Sequence, residues 1–466
     1  MSPLWKSQEA AQATLGRATQ SFDASGLSID TRTLNKGDLF VAIKGDSRDG
    51  HEFVDAALKA GAAAALVSHV AENLPADAPL LVVANTLRAL EDLARTGRAR
   101  ASAKVVAVTG SAGKTTTKDM LWRALGALGQ TTVSAASYNN HWGVPLSVAS
   151  LPQSAQFGVF EIGMNHFGEI RALVGLARPH VALITTIAAA HLEFFGSCEA
   201  IADAKSEIFE GLAPGGTALL PADNPYLDRL IARAEQVGVS GIRTFGRRAG
   251  SDARLLSIEE TDNSMTIEAD IFGRSCKVRI GAPGVHIALN AVATLAAVSV
   301  LDADVVGAGA ALAAFEPLKG RGARLQVERG GSKIAVIDES YNANPASMRA
   351  AIELLGSARV ANGGRRIAVL GDMLEMGSQG AALHAALARD IDSAHVDSVF
   401  VCGTQMAHLF EALPQSRRGG YGRTSEEIAP LLTATLHDGD VVLVKGSLGS
   451  RMAVIIEALR SSGRAG

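Results

Sequence analysis

The sequence predicts an α/β protein of three domains. Three observations carry that expectation: a recurring order of short apolar strand, Gly- or Asn-bearing turn and Ala-rich helical stretch; strands apolar enough for burial on both faces; and a length of 466 residues. At roughly 100–200 residues per domain that length accommodates about three. We place them at residues 1–100, 101–318 and 319–466: an N-terminal α/β unit, a central phosphate-loop unit with a mostly parallel sheet and an antiparallel excursion, and a C-terminal Rossmann-like α/β unit.

In chain order, Asp38–Ile43 reads as a strand, His51–Ala60 as a helix, Leu80–Val83 as a strand and Thr86–Arg98 as a helix. Val105–Thr109, Phe157–Ile162 and Val181–Ile187 are near-continuous apolar runs, the pattern of parallel strands covered on both faces. Polar/apolar alternation between Arg254 and Ile280, around the turn Asp262-Asn-Ser264, predicts the antiparallel excursion. Ile334–Asp338, Arg366–Leu370, Ser398–Cys402 and Val441–Lys445 supply the strands of the last unit.

Composition narrows the function. The formal charge is −3, with 47% hydrophobic residues, which suits packed cores and lacks the clustered excess of Lys and Arg that a nucleic-acid surface needs. No run of about 18 apolar residues predicts a membrane span. The first residues lack the basic and apolar regions of a secretory signal. Cys198, Cys276 and Cys402 show no CxxC spacing, so neither a disulfide framework nor a zinc knuckle is expected. A reducing cytoplasmic location fits these features.

The most specific motif is Gly110-Ser-Ala-Gly-Lys-Thr-Thr-Thr117, placed between the strand Val105–Thr109 and an Ala/Leu-rich helix. Its glycines let consecutive N–H groups and a helix N-terminus face phosphate oxygens. Lys114 then meets the outer phosphates and the Thr115 hydroxyl a Mg²⁺. Three polar residues further on stay open on chemistry alone. Glu161 ends an apolar strand, either facing water or meeting a cation. His191 follows another apolar strand, as a structural residue or a ligand. Lys205 lies in a helical stretch and by default is solvated.

Longer segments go further. Asp30-Thr-Arg32, Gly37-Asp-Leu-Phe-Val-Ala-Ile-Lys-Gly45, Asp49-Gly-His-Glu-Phe53, Tyr138-Asn-Asn-His-Trp-Gly-Val-Pro-Leu146, Glu161-Ile-Gly-Met-Asn-His-Phe-Gly-Glu-Ile170, Ala190-His-Leu-Glu-Phe-Phe-Gly-Ser197, Asp338-Glu-Ser-Tyr-Asn-Ala-Asn-Pro345, Leu370-Gly-Asp-Met-Leu-Glu-Met-Gly377 and Val444-Lys-Gly-Ser447 span nearly the whole chain. Together with the loop, read from Thr109 as TGxxGKT, they resemble the Mur ligase superfamily, most closely its D-alanyl-D-alanine-adding branch. The DNPR-type signature of the diaminopimelate- or lysine-adding branch is absent.

That resemblance implies an ATP-dependent ligase, a monomer, that joins D-alanyl-D-alanine to UDP-MurNAc-tripeptide through an acyl phosphate in cytoplasmic peptidoglycan precursor synthesis. It implies catalytic roles for Lys114, Glu161, His191, Lys205 and an arginine for which Arg321 and Arg324 are the two candidates. It places the nucleotide against Thr109, Gly110, Ser111, Ala112, Gly113, Lys114, Thr115 and Thr116, with Asn290 at adenine and Asp338, Tyr341, Asn342 and Asn344 above. Two Mg²⁺ sites would use Thr115, Glu161, His191 and Lys205, the lysine carrying a CO₂-derived carbamate. Asp30, Thr31, Arg32, Lys44 and Gly45 would meet the UDP part, and Asn139 and Asn140 the peptide. Three positions depart from the family pattern: Lys319-Gly-Arg-Gly-Ala-Arg324 offers two arginines for one role, Leu448 stands where many relatives have Arg, and Ile287 stands where Asn is frequent, so His286 receives no role. A folylpolyglutamate-synthase-like ligase and a phosphate-loop ATPase switch are the competing readings; the N-terminal hundred residues speak against the first, and ATPase activity without an acceptor amine would mark the second.

Overall fold

The computed structural model describes residues 3–45, 47–72, 74–135, 138–261, 263–329 and 331–462. Asp262, in the expected antiparallel turn, lies outside the described residues.

Parallel strands need crossover connections, and the alternating helices supply them. In the N-terminal unit five strands run in the order Arg17–Ala18, Leu80–Val82, Ala64–Val67, Asp38–Val41, Gly26–Ser28. All neighbours are parallel except the first pair. Asp38–Val41 and Ala64–Val67 are buried along their whole length, which accounts for their unbroken apolar character. The helix expected at His51–Ala60 is instead a 3₁₀ turn, Gly50–Phe53, followed by an α-helix, Val54–Lys59. The Asp49 carboxylate forces that start, accepting both the backbone N–H and the ring Nδ1 of His51.

The helix Thr86–Arg100 leaves this sheet and packs on the helix Gly143–Ala149 of the central unit. Trp5, fully buried, donates its Nε1–H to Ala149 O at 3.0 Å, and Arg98 Nε donates to Ala177 O at 2.7 Å. Trp5, Leu90, Leu93, Val105, Val144 and Ile170 belong to one continuous apolar core. The first two units are therefore joined by burial as well as by chain.

The central sheet has nine strands, ordered Arg274–Ile280, Met265–Ile271, Ala253–Glu260, Gly241–Gly246, Thr217–Pro221, Val181–Ile184, Lys104–Thr109, Phe157–Glu161, Thr131–Val133. Only the steps among the first three are antiparallel, as the alternation predicted. Lys104–Thr109 lies between Val181–Ile184 and Phe157–Glu161, so the loops leaving these three strands meet at one edge, where open α/β sheets place ligands. The strand expected to reach Ile187 stops at Ile184. Thr185 turns there to bind the phosphate loop, its Oγ1 donating to Ala112 O at 2.5 Å, while Ser111 N donates to Thr186 O at 2.8 Å.

The C-terminal sheet has six strands in the order Ala323–Arg329, Ser332–Glu339, Val441–Lys445, Arg366–Gly371, Ser398–Cys402, Arg418–Gly422. All pairs are parallel except the first, and separate apolar cores cover its two faces. The half-exposed edge strand Ala323–Arg329 has too few apolar residues to be read from the sequence. This unit touches the phosphate loop directly: Asn344, which caps the helix Pro345–Ser357, donates its Nδ2–H to Ser111 O at 3.1 Å.

Candidate nucleotide site

The strand Lys104–Thr109 ends at the loop and the helix Lys114–Gly126 begins there, its first N–H groups unpaired within the helix. Gly110 (φ 148°) and Gly113 (φ 80°) take backbone angles that L side chains rarely adopt. A Cβ on Gly110 would collide with Thr185 Oγ1, and one on Gly113 would come within 3.0 Å of Asn290 Oδ1. The loop thus closes tightly and sets Asn290, on the helix Val285–Val300, beside it.

The loop opens into a cavity of about 1000 Å³ with walls from all three units. Glu91 and Arg95 come from the N-terminal unit's long helix, and Arg321, Glu339, Tyr341 and Lys445 from the C-terminal unit. Of the residues expected from the sequence, Ser111 to Thr116, Asn139, Asn140, Glu161, His191, Lys205, Asn290, Arg321, Tyr341, Asn342 and Asn344 line it. Thr109 and Gly110 are not in the cavity wall; their carbonyls accept from Thr185 N at 2.9 Å and Lys114 Nζ at 2.7 Å.

Glu161 is buried, at 1% exposure, so the solvent-facing reading of that carboxylate fails. Its Oε2 accepts from Thr115 Oγ1 at 2.9 Å and its Oε1 from Asn139 Nδ2 at 2.8 Å. Lys118 Nζ lies 3.6 Å from Oε2 and donates to Ser134 O at 3.0 Å. Lys114 Nζ donates to Gly110 O at 2.7 Å. Burial pushes the Lys114 ammonium below the ordinary lysine range; Glu161 opposes that shift and Arg321 adds to it.

Lys205 is also buried, at 1% exposure, which overturns its default reading as a solvated helix residue. It sits near the end of the helix Cys198–Ser206, and burial, reinforced by Lys114, holds it well below the ordinary range. No carboxylate pairs with it among the described residues. Lys114 and Lys205 are therefore buried side by side next to the phosphate loop, and burial disfavours a positive charge on either unless an anion meets it. His191 reaches the same cavity, and burial lowers its imidazole against the raising effect of Glu375.

Two of the residues expected from the C-terminal unit stand outside the cavity wall. Asp338 is fully buried behind the wall, accepting from Gly320 N, Ser340 N and Ser340 Oγ, and so shapes the turn that carries Arg321. Arg324 faces Ile337 across the edge strand pair, outside the cavity wall, whereas Arg321 lies over the Tyr341 ring, 4.1 Å from its centroid.

Asp30, Thr31, Arg32, Lys44 and Gly45 lie outside the cavity wall. Arg32 Nη2 contacts Asp30 Oδ2 at 2.6 Å, and the hydrogen bond from Arg32 holds the Asp30 carboxyl below its usual range. Gly45 connects this surface to the cavity: a Cβ there would come within 3.0 Å of Trp142, two residues beyond Asn140.

Sequence reasoning missed Lys118 and the pair Glu339–Lys445, and gave no role to His286. Lys118 falls one helical turn after Lys114, a spacing that places both on one face. Lys445, at 2% exposure, donates to Glu339 Oε2 at 3.2 Å and Asn342 O at 2.9 Å. His286 lines the cavity, its imidazole lowered by burial.

The donor set suits Mg²⁺. Among the described residues no group of three or more His, Cys, Asp and Glu side chains could hold a metal alone. A buried hydroxyl and carboxylate beside a phosphate loop fit a cation that takes its remaining ligands from nucleotide phosphates and water. A bare Lys205 amine does not fit such a cation; a carbamate on it would.

Fold and site together define a three-domain phosphate-loop protein with a shared interdomain cavity. Family models match as the Mur ligase family catalytic domain over residues 23–98, the Mur ligase middle domain over 108–298, and the Mur ligase glutamate ligase domain over 323–448. The UDP-N-acetylmuramoyl-tripeptide–D-alanyl-D-alanine ligase of Escherichia coli is 35% identical, the match covering 94% of each chain. The MurF structure from Acinetobacter baumannii is 31% identical with a TM-score of 0.85, over 98% of this chain and 99% of that one. A MurF ligase from Thermotoga maritima in complex with ADP is 28% identical with a TM-score of 0.77, over 94% and 98%. The chain belongs to the Mur ligase family.

Proposed function

We propose that this chain is an ATP-dependent amide ligase that joins D-alanyl-D-alanine to UDP-MurNAc-tripeptide, giving UDP-MurNAc-pentapeptide, ADP and phosphate. The carrying observation is the single cavity in which a phosphate loop, the N-terminal helix and the C-terminal strand ends meet. It offers one phosphate site and two further walls for two acyl-transfer partners, and relatives matched over nearly the whole chain bear that activity in their names.

In the first step a carboxylate oxygen of the tripeptide attacks the γ-phosphorus of ATP. The β,γ-bridging P–O bond breaks and ADP leaves. In the second, the dipeptide amine attacks the acyl phosphate carbonyl, the C–O bond to phosphate breaks, and the nitrogen loses a proton. Two anions approach each other in the first step, so preorganised positive charge lowers the barrier. Lys114 and Arg321 supply it at the γ-phosphate; Arg321 takes this role over Arg324 because it lines the cavity. The loop residues Thr109 to Thr116 cradle the phosphates. Asn290 faces adenine, and Tyr341, Asn342 and Asn344 cover the nucleotide, with Asp338 holding their turn. Asn139 and Asn140 bound the peptide; Asp30, Thr31, Arg32, Lys44 and Gly45 hold the UDP part.

Thr115 and Glu161 would hold one Mg²⁺, and His191 with carbamylated Lys205 a second. Bound there, the cations screen the phosphate oxygens from the incoming carboxylate. The depressed basicity of Lys205 favours the neutral amine that adds to CO₂ with release of a proton. The chain acts as a monomer at the cytoplasmic stage of precursor synthesis, with domains at 1–100, 101–318 and 319–466. The test is phosphate release from ATP with UDP-MurNAc-tripeptide and Mg²⁺, with the dipeptide added or withheld. Release requiring both acceptors, with a product heavier by the dipeptide, is expected. Steady release without either overturns the proposal in favour of an ATPase.

A further inference from the structure

His191 lines the cavity, yet one of its ring nitrogens is committed elsewhere. Nδ1 lies 2.5 Å from Oε2 of Glu375, which belongs to the C-terminal unit and follows the strand Arg366–Gly371. The surrounding backbone builds this contact. Glu193 N donates to Glu375 O at 3.0 Å. Gly377 approaches so closely that a Cβ on it would lie 3.3 Å from Glu193 Cα. His191 (φ 58°) and Glu375 (φ 62°) both hold left-handed backbone, which non-glycine residues keep only where their surroundings impose it.

With side-chain exposures of 28% and 43%, the pair is weak glue between units. Its effect on the imidazole is more specific. A carboxylate that accepts the Nδ1–H fixes the ring's orientation and leaves the lone pair on Nε2. Glu375 is not part of the cavity wall, and its side chain meets the site through His191.

We propose that Glu375 is a positioning residue: docking of the C-terminal unit delivers its carboxylate to His191 and thereby sets the tautomer and direction of the imidazole that faces the cavity. The site is completed by docking, and an undocked C-terminal unit leaves His191 unoriented. The proposal rests on the ligase reading for its catalytic consequence, but not for the tautomer itself.

The test combines kinetics with ¹⁵N-histidine NMR of the full chain in the presence of ADP, the His191 signals being assigned by their loss in His191→Ala. In the unaltered protein His191 is the Nδ1–H tautomer; in Glu375→Ala it becomes a mixture. Ligation kcat falls about 30-fold in Glu375→Ala with KM for ATP within about twofold, the range of losses known for outer partners of ligating histidines. Glu375→Gln, whose carbonyl oxygen still accepts the Nδ1–H, recovers to within about threefold. Glu375→Asp, which keeps the charge but withdraws it by one methylene, falls about tenfold and serves if the alanine variant does not fold. The double variant with His191→Ala is no slower than His191→Ala alone. An unchanged tautomer in Glu375→Ala, or additive losses in the double variant, overturns the proposal. If the unaltered protein ligates nothing, the ligase reading fails while the NMR result still decides the positioning role.

Discussion

Buried charge is handled in opposite ways at the cavity floor and at the base of the C-terminal sheet. On the floor, Lys114 and Lys118 face one buried carboxylate, Glu161, Lys205 lies beside Lys114, and burial lowers all three lysines. At the sheet base, Asp440 is fully buried and fully matched: Arg365 Nη2 lies 2.8 Å from its Oδ2, and the N–H groups of Arg365 and His437 complete its partners. The first region buries lysines where burial works against their charge, at a cost to folding, beside the loop where an anionic ligand would meet them; the second region balances charge and serves stability. Removing a charge should therefore harm activity in one place and stability in the other.

The largest effect is expected at Lys114. Replacement by Ala should lower ligation kcat by at least about 10³-fold, because the lost cation faces charge that moves during the first step. The melting temperature without nucleotide should stay level or rise, since burying the Lys114 ammonium costs more than its attraction to Glu161 returns. A fall in both together would dissolve the contrast between the two regions.

Lys205→Ala should lower kcat by about 10²-fold, in the range seen when a preorganised electrostatic group is removed. Formate, acetate or propionate should restore much of that activity if a carbamate oxygen is what the site uses, because a short carboxylate fits the space vacated by the side chain. Activity of the alanine variant equal to the original would sink the carbamate. A loss that no carboxylate repairs would instead assign the role to the amine.

Much of this chemistry was legible in sequence because it is local. The strand, Gly-rich loop and helix around Lys114 are contiguous, and the apolar runs at Val105–Thr109 and Phe157–Glu161 announce buried parallel strands. The burial of Glu161 and Lys205 was not legible, since each sits at the end of an element whose exposure depends on what packs above it. Lys445 and Glu339 meet because their strands are register neighbours 106 residues apart in the chain, and no local pattern encodes that pairing. Glu375 lies within a recognisable segment, but its partner His191 is in another unit. The edge strand Ala323–Arg329 and the 3₁₀ turn at Gly50–Phe53 were missed for a simpler reason: half-exposed edges and side-chain caps leave little hydrophobic periodicity.

The smallest effect on catalysis, and the clearest on folding, is expected at Asp440. Asn in its place turns one of two acceptor oxygens into a donor facing N–H groups, and leaves Arg365 without its countercharge. A loss of about 2 kcal/mol follows from breaking such a buried, hydrogen-bonded pair, discounted because Arg365 is one-third exposed. Calorimetry should show it as a fall of a few degrees in the transition containing the C-terminal unit, with kcat at 25 °C unchanged. Burial alone would push the Asp440 carboxyl up, but Arg365 and the backbone N–H groups outweigh it and hold the carboxyl below its ordinary range. Since the folded value lies below the unfolded one, this stabilisation is complete at neutral pH and drains away as pH falls below about 4. Asp440→Asn should therefore melt lower than the original at pH 7 and converge on it under acid conditions. A constant difference across that range would mean that shape, and not charge, holds this corner of the sheet.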